Sequence, residues 1–170
     1  MREENLSILR SLKQNIEEIV KPLDAARLEV YGENEEMVQS GLDLIMSDLT
    51  MMVVMLTNID SYVAPAELEL INDMRHVVYG YGIREFSSDD YVELFREFLN
   101  LYPNKRLTLD HLPSSIRFLQ TYDEEHNTDF SAMAANLFIQ FGEAIVKANQ
   151  KEDHGEAMLL ENFKDILKTI

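Results

Sequence analysis

Cysteine is absent from the 170-residue chain. That excludes disulfides, thiolate metal sites and a cysteine nucleophile, and it fits a reducing compartment. Basic residues are few: 15 Lys and Arg stand against 31 Asp and Glu, a formal net charge of -16. A chain this acidic repels phosphate backbones, so nucleic acid is not its partner. Cations and basic protein surfaces are the ligands its charge favours. Long apolar runs are lacking too. The longest, "LTMMVVML" from Leu49 to Leu56, is far too short to span a bilayer. The opening "MREENLSILR" carries acids early and has no extended apolar core, unlike a signal peptide. The expectation is a soluble, cytoplasmic protein with a single domain over 1–170.

Glycine (6) and proline (4) are scarce, and the apolar spacing is helical almost throughout. Leu9, Leu12, Ile16 and Ile19 form a first stripe. Pro22 reads as the start of a second helix that runs towards Tyr31 and stops at Gly32. A third, the most apolar, is expected from about Glu35 to Ile59. A fourth runs from Pro65 to near "YGYG" (Tyr79 to Gly82). "SSDDYVELFREFLNLYP" gives the next, with Ser87 as N-cap and Asp90 three residues on. Pro113 opens a helix ending near "DEEHNT", Asp129 to Ala148 form another, and Asp153 or His154 opens the last. No segment alternates as a strand would. The reading is all-α, about seven to eight helices with short, antiparallel connections. Tyr102 to Leu112 is the candidate seam between two halves.

Those halves share a pattern. A shift of 89 positions lays "TNIDSYVAPAELELI" (Thr57 to Ile71) on "VKANQKEDHGEAMLL" (Val146 to Leu160). Asp60 falls on Asn149 and Glu67 on Glu156. Upstream, Leu49, Met52, Leu56 and Ile59 fall on Phe138, Phe141, Ile145 and Ala148, one helix face in each case. An internal pseudo-repeat is expected, its halves roughly 35–80 and 124–168. In its first corner, Asp60 ends one helix and Glu67 lies in the first turn of the next. Paired carboxylates with nearby carbonyls are what Ca²⁺, Mg²⁺ or a similar hard cation needs. Helix capping explains the same acids. Pro65 at the first helical position makes Glu67 an N3 residue, and Asp153 with Glu156 spells a capping box. Both readings stay open at this stage. The calcium-loop spacing of an EF-hand is not met.

These residues resemble the tellurite-resistance protein B-like (TerB-like) family. Its pattern is a long apolar helix, then D-G-x-[apolar]-x-x-x-E, then apolar pairs. Asp60, Val63, Glu67, Leu70 and Ile71 match in place. Leu112 to Leu167 resembles it over a longer span, through Tyr122 and Asp123, Thr128 and Asp129, the long helix, then Glu156, Leu159, Leu160 and Phe163. The resemblance implies an all-helical domain with pseudo-two-fold symmetry. It also implies a role in tellurite and chemical-stress responses, with divalent metal (Ca, Mg or Mn) held by acids in the corners or a protein partner bound. Carried over by position, the metal ligands would be Asp60, Glu67 and Glu156. The family's D-G is Asp60-Ser61 here and Asn149-Gln150 in the second copy, which weakens the second corner as a cation site.

Other features compete. Asp73/His76 and Asp123/His126 are D-x-x-H pairs on helices, each offering two ligands on one face. The alternative function is therefore a metal-dependent enzyme of di-metal carboxylate type. "MMVVM" reads as core packing. "YGYG" with Phe86 is either an exposed aromatic patch or, the favoured reading, a turn whose rings pack on the core. "DDYVELFREFLNLY" is amphipathic, with Val92, Phe95, Phe98 and Leu99 in a stripe; core packing is the favoured reading and an interface the alternative. "DEEHNTD" reads as a solvated loop. No nucleophile–base pattern and no phosphate-binding glycine loop occurs. The expected function is a non-enzymatic, acidic module that binds a basic protein surface, with or without a cation. A metal-free interaction domain is the third reading.

Overall fold

The computed structural model describes residues 3–32, 39–57, 63–101, 111–148 and 154–170. Among them all regular structure is helical: α1 (Glu3–Tyr31), α2 (Gly41–Thr57), α3 (Pro65–Tyr79), α4 (Ser88–Leu101), α5 (Ser114–His126), α6 (Phe130–Ala148) and α7 (His154–Leu167). No helix among the described residues is long and apolar enough to cross a membrane.

The expected break at Pro22 does not occur. α1 is continuous, with Pro22 buried inside it. An internal proline forfeits one backbone hydrogen bond and crowds the preceding turn, a cost of roughly 3 kcal/mol. The apolar stripe explains why the helix nevertheless continues. Leu9, Leu12, Ile16, Ile19, Leu23 and Ala26 are all buried, and their three–four spacing crosses Pro22 without losing phase. Each buried Leu or Ile contributes about 1.5–3 kcal/mol, so a restart that turned Leu23 away would lose comparable energy. Gly32 then ends α1 as its position predicts. It adopts φ 70°, and its N–H donates to the Leu28 carbonyl at 2.8 Å.

α2 is shorter than the Glu35–Ile59 segment read from periodicity; residues 33–38 and 58–62 lie outside the described set. Its start is fixed by Ser40 and Asp43. The Asp43 N–H donates to Ser40 Oγ at 3.1 Å, and Ser40 Oγ–H donates to Asp43 Oδ2 at 2.7 Å. The remaining helices follow their caps. At α4, the Ser87 N–H donates to Asp90 Oδ2 at 2.8 Å and the Asp90 N–H to Ser87 Oγ at 3.2 Å. At the end of α5, Asn127 takes the left-handed conformation, φ 53°.

α1 packs most extensively on α5 and α6, α6 also on α5 and α7, and α2 on α1, α5, α6 and α4. One buried cluster draws apolar side chains from all seven helices. Side chains 89 positions apart share burial: Leu49 and Phe138, Met52 and Phe141, Leu56 and Ile145, Ile71 and Leu160, Met74 and Phe163. The starts of α2 and α6, and of α3 and α7, have the same spacing. Most of the proposed seam, Tyr102 to Leu112, lies outside the described residues (102–110), but its two sides are joined directly. Asp48 of α2 is 7% exposed, and its Oδ2 accepts from Ser115 N–H at 2.8 Å and Ser115 Oγ–H at 2.7 Å at the start of α5.

Candidate functional site

The corner between α2 and α3 begins with Thr57, whose Oγ1–H donates to the Val53 carbonyl at 2.9 Å. Ala64 is extended (φ -65°, ψ 145°) and Pro65 takes the first helical position, where a missing N–H is harmless. Glu67 folds back, and its Oε2 accepts from the Ala64 N–H at 2.7 Å. This is half of a capping box; Ala64 has no side-chain oxygen to complete it. Glu67 is fully buried, as are Thr57 and Tyr91. Burial pushes the Tyr91 hydroxyl well above its ordinary value. The nearby Thr57 hydroxyl works against that shift and the Glu67 charge adds to it. Three buried polar groups from α2, α3 and α4 thus meet beside the corner.

Asp60 itself lies outside the described residues, as do Asn149 and Asp153 of the second corner. Glu156, in the first turn of α7, is 1% exposed and so buried like Glu67. Among the described residues, no three His, Asp or Glu side chains gather as a metal-holding group.

Asp123, His126 and His76 of the D-x-x-H pairs make other contacts. Asp123 does not sit in a solvated loop: α5 continues through it to His126, and the carboxylate caps α6. Its Oδ1 accepts from Thr128 Oγ1–H at 2.7 Å and Phe130 N–H at 2.9 Å, and its Oδ2 from Ser131 N–H at 2.8 Å. Desolvation pushes its pKa up, but the hydrogen bonds from Ser131, Thr128 and Phe130 together outweigh this and hold the carboxyl below its usual value. His126 stacks on Tyr122 at 4.0 Å between centroids, and its Nδ1 lies 3.0 Å from the Tyr122 carbonyl. His76 turns towards Glu85 (3.8 Å), and its ring lies tilted against that of Tyr81, 5.5 Å between centroids. Asp73 is pushed up by burial and by the neighbouring Glu69 charge.

Two further carboxylates cap helices across the fold. Asp24 of α1 accepts from the Gly41 N–H at 2.6 Å. A Cβ on Gly41 would lie 2.7 Å from that oxygen and 3.0 Å from the Val20 carbonyl, so only glycine admits this approach. Asp48 does the same for α5, as described above. Burial pushes its pKa up against the opposing hydrogen bonds from Ser115 and the charge of Arg117.

The aromatic turn departs from the favoured expectation. Tyr79 and Tyr81 are 40% and 72% exposed, so these rings do not pack into the core. Phe86 does pack inward, against Tyr91 at 6.4 Å. It is fixed by Asn72, whose Nδ2–H donates to the Phe86 carbonyl at 2.9 Å while the Phe86 N–H donates to Asn72 Oδ1 at 2.8 Å. Beside this segment an open groove of about 540 Å³ runs between α2, α3 and α4. Neither the groove nor Asn72's role was readable from spacing, because both depend on residues distant in the chain.

No model of a known protein family matches the chain, and searches of curated proteins and of solved structures return no match either.

Proposed function

We propose that the chain is a non-enzymatic, acidic helical interaction module of TerB-like type, built from two copies of one unit and serving a chemical-stress response by binding a basic protein partner. The observation that carries this reading is where the carboxylates go. Asp24, Asp48, Asp123 and Glu67, four of the acids that could do chemistry, accept backbone N–H groups at the starts of α2, α5, α6 and α3. An acid committed to a helix N-terminus is held in a fixed place and serves the fold. The many exposed acids of a chain carrying -16 remain for recognition. Shared burial and matching helix starts 89 positions apart support the two-copy architecture.

The test is binding of labelled peptides to the full chain at about 50 and 200 mM salt, across which the Debye length shortens appreciably. A lysine-rich peptide is expected to bind and to weaken as salt rises, while a glutamate-rich one does not bind. Failure of every basic peptide to bind at the lower salt would overturn the reading.

A divalent cation at the Asp60–Glu67 corner is the second reading. The burial of Glu67 beside Thr57 and Tyr91 places an acid at that corner, as this reading requires. The engagement of Glu67 Oε2 by the Ala64 N–H favours capping instead.

A further inference from the structure

The groove between α2, α3 and α4 has an apolar floor and acidic lips. Met46, Phe86, Leu94 and Phe98 supply the floor. It continues into a smaller recess of about 300 Å³ that shares Phe86 and Leu94 and is edged by Glu93 and Glu97 of α4. Asp43 of α2 stands on the opposite lip. The two arginines here are already engaged. The Arg75 guanidinium lies 3.6 Å from the centre of the Phe86 ring, and its Nη1–H donates to the Arg84 carbonyl at 2.8 Å. Arg84 is paired with Asp90. Arg75 keeps its positive charge, but the carboxylates of Asp43, Asp90, Glu93 and Glu97 outnumber the two guanidiniums, so the groove is negative on balance. Glu93 and Glu97 are exposed and one turn apart, so they project from the same edge.

We propose that this groove binds an amphipathic helix of a protein partner, with its apolar stripe on Met46, Leu94 and Phe98 and with Lys or Arg on its flanks meeting Asp43, Glu93 and Glu97. This rests on the interaction-module reading and names the site and the partner's chemistry. Charge complementarity selects the occupant. A second copy of this chain would bring -16 against -16, and an anionic lipid surface or nucleic acid would meet the same repulsion. A helix presenting two or three anchors at i, i+3 and i+4 fits a groove walled by helices.

The test uses the full chain and a labelled helical peptide of leucine and lysine with a single apolar stripe, beside a scrambled peptide of identical composition. Fluorescence anisotropy reads the affinity. Glu93→Lys/Glu97→Lys is compared with Glu124→Lys/Glu125→Lys, which makes the same charge change on exposed positions of α5. Both variants are checked for an unchanged thermal midpoint. The striped peptide is expected to bind at least about 10-fold more tightly than the scrambled one, and the α4 reversal to weaken it at least about 10-fold, with the α5 reversal changing it less than about 3-fold. Equal weakening by both reversals, or equal binding of the two peptides, would overturn the groove assignment and leave the interaction module standing. No binding by either peptide would overturn both.

Discussion

Replacing Asp48 separates the value of a buried acceptor from that of a buried charge. Its Oδ2 accepts from both the N–H and the hydroxyl of Ser115, and Ser115 is fully buried. In Asp48→Ala both donors lose this partner. An unsatisfied buried donor costs about 1–3 kcal/mol, and the hydroxyl can rotate towards another acceptor whereas the N–H cannot. Relief of a desolvated carboxylate acts in the opposite direction. The expected net loss is about 2–3 kcal/mol at neutral pH, with α5 loosened from α2. Asp48→Asn keeps an acceptor and removes the charge, so it should lie within about 1 kcal/mol of the parent. The pH dependence follows from the raised pKa of Asp48. An acid whose folded pKa exceeds its unfolded value takes up protons on folding between the two. Its contribution to stability therefore increases as pH falls through the folded value and levels off below the unfolded value. The parent should thus gain on Asp48→Asn as pH drops from 7 towards 4. Urea unfolding of the three proteins at several pH values checks this. Equal losses in the alanine and asparagine variants, or a parent that loses ground to Asp48→Asn on acidification, would refute it.

Asp123 has the opposite sign. Its carboxyl is held below the ordinary value, so its stabilisation is present above the unfolded pKa and is lost as pH falls through the folded one. Asp123→Ala should cost about 1.5–3 kcal/mol at pH 7 by urea titration, with the gap closing in acid. Tyr91→Phe should raise the thermal midpoint, with a gain of about 1 kcal/mol, because among the described residues the buried Tyr91 hydroxyl has the Thr57 hydroxyl near it but no hydrogen bond of good geometry. A clear loss would show that the hydroxyl is used. Gly142→Ala should destabilise by about 1–2 kcal/mol despite the better helix propensity of alanine, since its Cβ would lie 2.6 Å from Leu160 Cδ1 at the α6–α7 contact. A double-mutant cycle with Leu160→Ala should recover part of that loss.

Helix existence was legible wherever an apolar stripe and a local cap agreed. Ser87 with Asp90, Pro65 with Glu67, and Gly32 each lie within a few residues of what they bond. Pro22 misled because a local breaker met a stripe whose phase did not break, and burial of Leu23 and Ala26 won. Asp24, Asp48 and Asn72 could not be read in this way. Their partners lie 17, 67 and 14 residues away, and only the packed fold brings them together. Glu67 and Glu156 were singled out as acids at helix starts, and both are buried there. The groove stayed hidden for a related reason. Phe98 belongs to a stripe that reads as core in the sequence, and its half-burial, with that of Phe86 and Leu94, shows only once α4 is set beside α2.

Thermal unfolding of chelator-stripped protein with Ca²⁺, Mg²⁺, Mn²⁺ or Zn²⁺, beside Asp60→Ala/Glu67→Ala, decides whether the buried corner acid belongs to the fold or to a ligand. A cation present at 100 times its dissociation constant stabilises by about 2.7 kcal/mol, a rise of roughly 5–10 °C for a chain of this size. If Glu67 is a helix-end group, no cation moves the parent by more than about 1 °C, and the variant melts lower by the same amount with or without metal. A rise of several degrees with one cation, abolished in the variant, would contradict that and make the corner a metal site.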